Sequence, residues 1–168
     1  MKWLSALLVL VIAAIISPIP SSCARADESA SHALGLNEDQ LKFVTFQGLP
    51  NCITGAVLRG DPNKGPFTVL EKITPECGIP WHWHTASEQI VMVNGAMEML
   101  HKDSAPMHLQ PGGYYFNPGH HVHSGSCPKG CTIFVAVDGP IDVHWIDKSD
   151  KEISLDQALR EQGVSESQ

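Results

Sequence analysis

Two short stretches of the chain concentrate side chains that bind metals. His82-Trp83-His84 lies between Pro80 and the turn-like Thr85-Ala86-Ser87, and Glu88 follows. Side chains alternate along an extended chain. With Trp81 to His84 extended, His82 and His84 therefore point to one face, about 6–7 Å apart along the strand. Glu88 opens the next strand after a tight turn and can face the same interior. Two imidazoles and a carboxylate converging there suit a first-row divalent metal, with Fe, Mn, Zn, Cu and Ni all admissible. The second stretch, Pro118-Gly119-His120-His121-Val122-His123, is a turn running into a strand. His121 and His123 share a face and His120 opposes them, so one of these imidazoles entering the interior completes a fourth ligand. The plain alternatives are a surface His pair beside an unrelated Glu, and an exposed His-rich loop with adventitious metal affinity.

The other candidates are ordinary by comparison. His32 falls in a terminal segment, and His101, His108 and His144 stand alone on strand-like stretches, as exposed or internally satisfied groups. Met92, Met97 and Met99 offer an adaptable apolar lining to an interior pocket. Tyr114 and Tyr115 are adjacent, so only one can face inward, where it could orient a ligand or give up a proton. The sequence has no G-x-S-x-G elbow, no phosphate-cradling glycine loop and no Ser-His-Asp set.

Short apolar runs separated by turn residues must position these groups. Ile53–Leu58, Phe67–Ile73, Gln89–Val93, Ala96–Leu100, Tyr114–Phe116, Thr132–Val137 and Ile141–Ile146 read as strands. Gly60-Asp61-Pro62, Asn94-Gly95, Pro111-Gly112-Gly113 and Pro118-Gly119 punctuate them. Asn94-Gly95 between apolar runs is a strong hairpin signal. The pattern is all-β, an antiparallel sandwich or barrel, with helix only at the ends. Asn37 with Gln40, and Ser154 with Gln157, read as capping boxes; Leu155, Ala158 and Leu159 share a face, and Gly163 stops the second helix.

Composition agrees. The 168 residues are 43% hydrophobic and 17% charged, with 14 Gly, 12 Pro, nine His and a formal charge of −7. The low charge and raised Gly and Pro contents favour turn-rich β structure. Acidic surface argues against nucleic acid, and the apolar content against disorder. Lys2, the almost wholly apolar Trp3–Ile16 and the small-residue run ending Ala24-Arg25-Ala26 form a secretory signal peptide over 1–26, too short for a comfortable membrane span. The expected product is exported, periplasmic or secreted, with no membrane association after cleavage. Cleavage removes Cys23 and leaves Cys52, Cys77, Cys127 and Cys131, an even count that reads as disulfides with three pairings open. The Pro128-Lys129-Gly130 turn favours Cys127–Cys131, leaving Cys52–Cys77; a cysteine zinc site lacks the C-x-x-C spacing.

Taken together, the two histidine stretches resemble the motifs of the cupin superfamily, in particular small single-domain secreted bacterial cupins. His82-x-His84-x3-Glu88-x6-Gly95 matches the first motif, G-x5-H-x-H-x3,4-E-x6-G, from its first His onward. Gly112-x5-Pro118, with His123 five residues further on, matches the spacing of the second, G-x5-P-x-G-x2-H-x3-N. The likeness covers roughly Thr54 to Trp145. Three positions depart: Gly78 lies three residues before His82 instead of five, His120 replaces a glycine, and Cys127 replaces the closing Asn.

The resemblance implies a cupin-type antiparallel β-barrel (double-stranded β-helix or jelly roll) with short terminal helices. Its expected divisions are a 27–50 N-terminal extension, a 51–147 barrel and a 148–168 C-terminal helix and tail. It implies His82, His84, Glu88 and His123 as ligands of a divalent transition metal, with Glu88 also a catalytic base, and gives His120 and His121 no ligand role. The implied activities include dioxygenases acting on diketones or flavonols, oxalate-type decarboxylases, isomerases and lyases. A metal-dependent, oxidoreductase-like enzyme acting on a small organic molecule leads; a non-catalytic small-ligand, metal-binding or sensing module is the alternative. The partner is a small-molecule substrate or ligand, and the resemblance also allows a homodimer.

Overall fold

Strand-period alternation of buried and exposed side chains generates two antiparallel sheets with a shared interior. The computed structural model describes residues 33–162; the expected leader 1–26, His32 and the helix stop at Gly163 lie outside them. The strands are β1 (Ile53–Gly60), β2 (Phe67–Ile73), β3 (Cys77–Trp83), β4 (Glu88–Gly95), β5 (Met97–Leu100), β6 (Met107–Leu109), β7 (Tyr114–Asn117), β8 (His123–Cys127), β9 (Cys131–Val137) and β10 (His144–Trp145). One sheet runs β1-β2-β9-β4-β7 and the other β10-β3-β8-β5-β6. Phe67, Val69 and Ile73 of β2, Ile90 and Met92 of β4, and Ile133 and Val135 of β9 are buried between them. Met97 and Met99 project inward from the second sheet, and Tyr115 is the inward tyrosine while Tyr114 stays exposed.

The ends are short, as expected. Glu38–Gln40 makes a single 3-10 turn, with Gln40 Oε1 accepting the Asn37 N–H at 2.8 Å. Helix α1 (Leu155–Gln162) starts at Ser154, whose Oγ accepts the Gln157 N–H at 3.2 Å, and it buries Ala158 and Leu159. Among the described residues no helix is long and apolar enough to cross a membrane.

Two expectations fail for physical reasons. Asn94-Gly95 is not a hairpin: β4 belongs to the first sheet and β5 to the second, so the pair carries the chain across the barrel edge. Gly95, at φ +80°, is the register partner of Cys131, and a Cβ there would lie 2.4 Å from the Gly130 carbonyl oxygen. Turn chemistry dictates a reversal but not which sheet receives the returning strand. The run Ile141–Ile146 shrinks to the two residues of β10. Its first residues are committed elsewhere: the Ile141 N–H donates to the Pro62 carbonyl, and Asp142 supports the loop after β3.

Both disulfides form, Cys52–Cys77 and Cys127–Cys131. Each joins the first sheet to the second at the same end of the barrel, where Ile73 pairs with Cys131 and Cys77 pairs with Cys127. His82, its register partner His123, and Glu88 lie toward the other end. The bridges close loops of 25 and 4 residues. Chain-entropy reasoning then predicts that the double variant Cys52→Ser/Cys77→Ser loses about 3.5 kcal/mol and Cys127→Ser/Cys131→Ser about 2 kcal/mol in urea denaturation. The reverse order would show that strain or denatured-state structure outweighs loop closure here.

Candidate metal centre

Pro80 begins the construction of the site. Lacking an N–H, it cannot donate to the ladder within β3, and the β3–β8 register shifts between Ile79 and His82. The shift leaves His82 opposite His123, with both side chains buried. His84 follows directly after β3, on the loop that returns through Thr85–Ser87 to Glu88 at the head of β4. That loop is tied down by other segments. Asp142 Oδ1 accepts the Thr85 N–H and Asp138 Oδ1 the Ser87 N–H, each at 2.8 Å. The His120 N–H donates to the His84 carbonyl at 2.7 Å.

The three imidazoles converge through one repeated device. His82 Nδ1–H donates to the Pro80 carbonyl at 2.7 Å, His84 Nδ1–H to the Asp142 carbonyl at 2.6 Å, and His123 Nδ1–H to the His121 carbonyl at 3.0 Å. These bonds fix the tautomers of His82 and His84 and leave their Nε2 lone pairs free, while His123 Nε2 faces the Glu88 carboxylate. The candidate donor atoms of His82, His84 and His123 all lie within 4.8 Å of one another. Burial, reinforced by His123 and His84, holds His82 well below the ordinary imidazole range, which keeps it a neutral donor. Glu88 Oε1 stands 3.0 Å from His123 Nε2 and 4.0 Å from His84 Nε2. Burial pushes the Glu88 carboxyl up, but the His123 hydrogen bond and the charges of His84 and His123 outweigh it, and the net shift is downward. The donor chemistry fits a divalent transition metal: His82, His84 and His123 would hold it, with the Glu88 carboxylate beside them.

A polar network backs His123. The Asn117 side-chain amide lies 3.0 Å from His123 Nδ1, and its Oδ1 accepts the Tyr115 hydroxyl at 3.0 Å. Tyr115 in turn lies 3.0 Å from His101 Nε2, and the His101 ring is 4.5 Å from that of His121. Burial and the Glu88 charge both push the Tyr115 hydroxyl up, so it stays a donor. His121 therefore borders the site through this network, and His120 through its backbone. His120 sits at φ +63°, a conformation glycine adopts without cost. His108 is exposed, and His144 stacks on Trp83 with centroids 3.8 Å apart.

The donors open on an apolar cavity lined by Phe67, Val69, Ile90, Met97, Met99 and Ile133, among others. Met92 is buried but does not line it. One lining residue escaped the sequence reading: Glu71, at an inward position of β2 between Val69 and Ile73. Period-two alternation from Phe67 would have flagged it. Alternation from Tyr115 likewise points to Asn117, whereas nothing local predicts the carbonyl of Asp142, 58 residues from His84. Burial, then the Glu88 charge, pushes the Glu71 carboxyl up to about 8. An acid held protonated in the fold ionises first in the unfolded chain, so stability falls as pH rises from the ordinary carboxyl range, near 4.5, to about 8. Thermal denaturation at pH 5 and pH 8.5 should show a larger loss for the wild type than for Glu71→Gln; equal losses would contradict the assignment.

Comparison with known proteins agrees with the fold. No curated protein matches the sequence significantly. Among solved structures, an RmlC-like cupin protein from Ralstonia eutropha JMP134 is 17% identical with a TM-score of 0.58, over 80% of this chain and 89% of that one. The polyketide cyclase RemF from Streptomyces resistomycificus is 18% identical with a TM-score of 0.61, over 78% and 94%. An acetylacetone dioxygenase from Acinetobacter johnsonii is 17% identical with a TM-score of 0.58, over 83% and 93%. At such identities the likeness is one of fold. The ChrR cupin-like domain family matches residues 32–141. With that match, two jelly-roll sheets and three converging imidazoles, the chain belongs to the ChrR cupin-like family of the cupin superfamily.

Proposed function

We propose that this chain is an exported, metal-dependent cupin enzyme of the dioxygenase or oxidoreductase type, acting on a small organic molecule. The observation that carries this reading is the set of three pre-oriented imidazole donors, with a carboxylate beside them, facing an apolar cavity. A bound divalent metal would supply Lewis-acid activation of a ligand oxygen there. His82, His84 and His123 hold and orient it through their tethered rings. Glu88 serves as a further ligand or accepts a proton at Oε1. The apolar walls hold the body of the ligand and exclude water, which strengthens polar interactions at the donor end. A dioxygenase and a cyclase among proteins of this fold support the substrate class by analogy. The leader read over 1–26 and the two disulfides support export.

Elemental analysis of native protein should find about one metal per chain, and His84→Ala should lose most of it; equal metal in both would overturn the site. Oxygen uptake with small diketones and phenolics tests turnover. Glu88→Gln is expected to lower any turnover found by roughly 10²–10⁴-fold. Metal-loaded protein that binds such molecules and transforms none of them would make the chain a binding or sensing module instead.

A further inference from the structure

Glu71 is a carboxyl group that the metal centre does not use. On β2 it points inward and is half-buried, its carboxyl bordering the cavity. Among the described residues it has neither a hydrogen-bond partner nor a salt bridge; the neighbouring Lys72 pairs with Glu38 instead. The strand register fixes its depth. Glu71 pairs with Ile133, which pairs with Met92, four residues along β4 from Glu88. At strand rise that level lies about 13 Å along β4 from the residue beside the imidazoles, before side-chain lean. The other polar side chains lining the cavity are His82, His84, Glu88, His123 and Asp142. Each of these belongs to the donor end or to the loop that supports it, so the deep end holds one polar group in apolar walls.

Its oxygens keep accessible surface, so a molecule in the cavity can bond to them, and a carboxyl facing apolar walls gains from such a bond. The cavity has a volume of about 70 Å³. At roughly 10–15 Å³ per water that is room for about five to seven water-sized groups, the scale of one compact small molecule whose bonded atoms sit closer together than waters do.

We infer that Glu71 is a specificity-determining residue. It donates a hydrogen bond from its carboxylic acid to a carbonyl or similar acceptor oxygen on the end of the ligand remote from the metal. The inference rests on the cavity being the ligand site of the proposed enzyme and names the ligand class: a short, apolar-bodied molecule with an oxygen function at each end. Burial and the charge of Glu88 favour the protonated acid, the donor form, at neutral pH. An apolar ligand without the second oxygen leaves the acid unpaired, and such mismatches discriminate strongly in buried sites.

The test uses zinc-loaded full-length mature protein, since zinc is redox-inert and isolates binding. Isothermal titration compares 4-oxopentanoate with pentanoate, which has the same chain and carboxylate but no ketone. The wild type should favour the keto acid by about tenfold, the worth of one buried hydrogen bond. Glu71→Gln, which still donates, should keep at least about threefold preference, and Glu71→Leu should abolish it, with zinc content unchanged in both. Glu71→Met, also without a donor, serves if the leucine variant does not fold. A preference that survives in the leucine or methionine variant, or a wild type that binds both probes equally, overturns the role of Glu71. A wild type that binds neither probe removes the cavity as ligand site, and the inference with it.

Discussion

Three imidazoles are brought to one buried place, and the arrangement depends on what their other nitrogens do. Each Nδ1–H is spent on a backbone carbonyl, of Pro80, Asp142 or His121. Without those bonds the rings would rotate or exchange tautomers, and a buried cluster of unpaired nitrogens would carry a desolvation cost. With them, burial helps the site by keeping His82 neutral. The chain path follows from the same requirement. Pro80 both supplies a carbonyl and breaks the ladder so that His82 turns inward. Asp142 reaches His84 because residues 141–143 give up strand pairing to brace the loop after β3.

The sheets serve this centre by being closed and rigid elsewhere. The chain leaves the first sheet at the end of β4, Gly95, and β9 of the same sheet begins at Cys131, two positions in register with each other. Both disulfides sit at that end, remote from the histidines, and bind one sheet to the other. The centre therefore occupies the end of the barrel made of polar loops, where hydrogen bonds from Thr85, Ser87 and His120 hold its supports in place.

Much of this was legible in the sequence because it was written in local periods. The spacing of His82 and His84 turns both imidazoles toward the interior because β3 is extended through Trp83, with His84 just beyond its end. The Pro128-Lys129-Gly130 turn indicated the Cys127–Cys131 bridge. Alternation decided that Tyr115, not Tyr114, points inward only once the sheet was known. What was not legible was long-range. Nothing near Asn94-Gly95 says that the strands on either side belong to different sheets, and nothing near His84 names the carbonyl that orients it. Glu71 was readable but obscured, since a charged residue in an apolar strand reads as an outward face until the strand's phase is counted from Phe67.

The pairing of Cys77 with Cys127 on adjacent strands places the two bridges side by side. Thiol–disulfide exchange proceeds when a thiolate reaches a neighbouring disulfide sulfur. Opening either bridge leaves a cysteine one strand away from a sulfur of the other, so the four cysteines form a connected redox unit instead of two isolated clasps. Exchange conserves the number of disulfides, so an opening at one bridge can migrate to the other, and closing it for good requires an external oxidant.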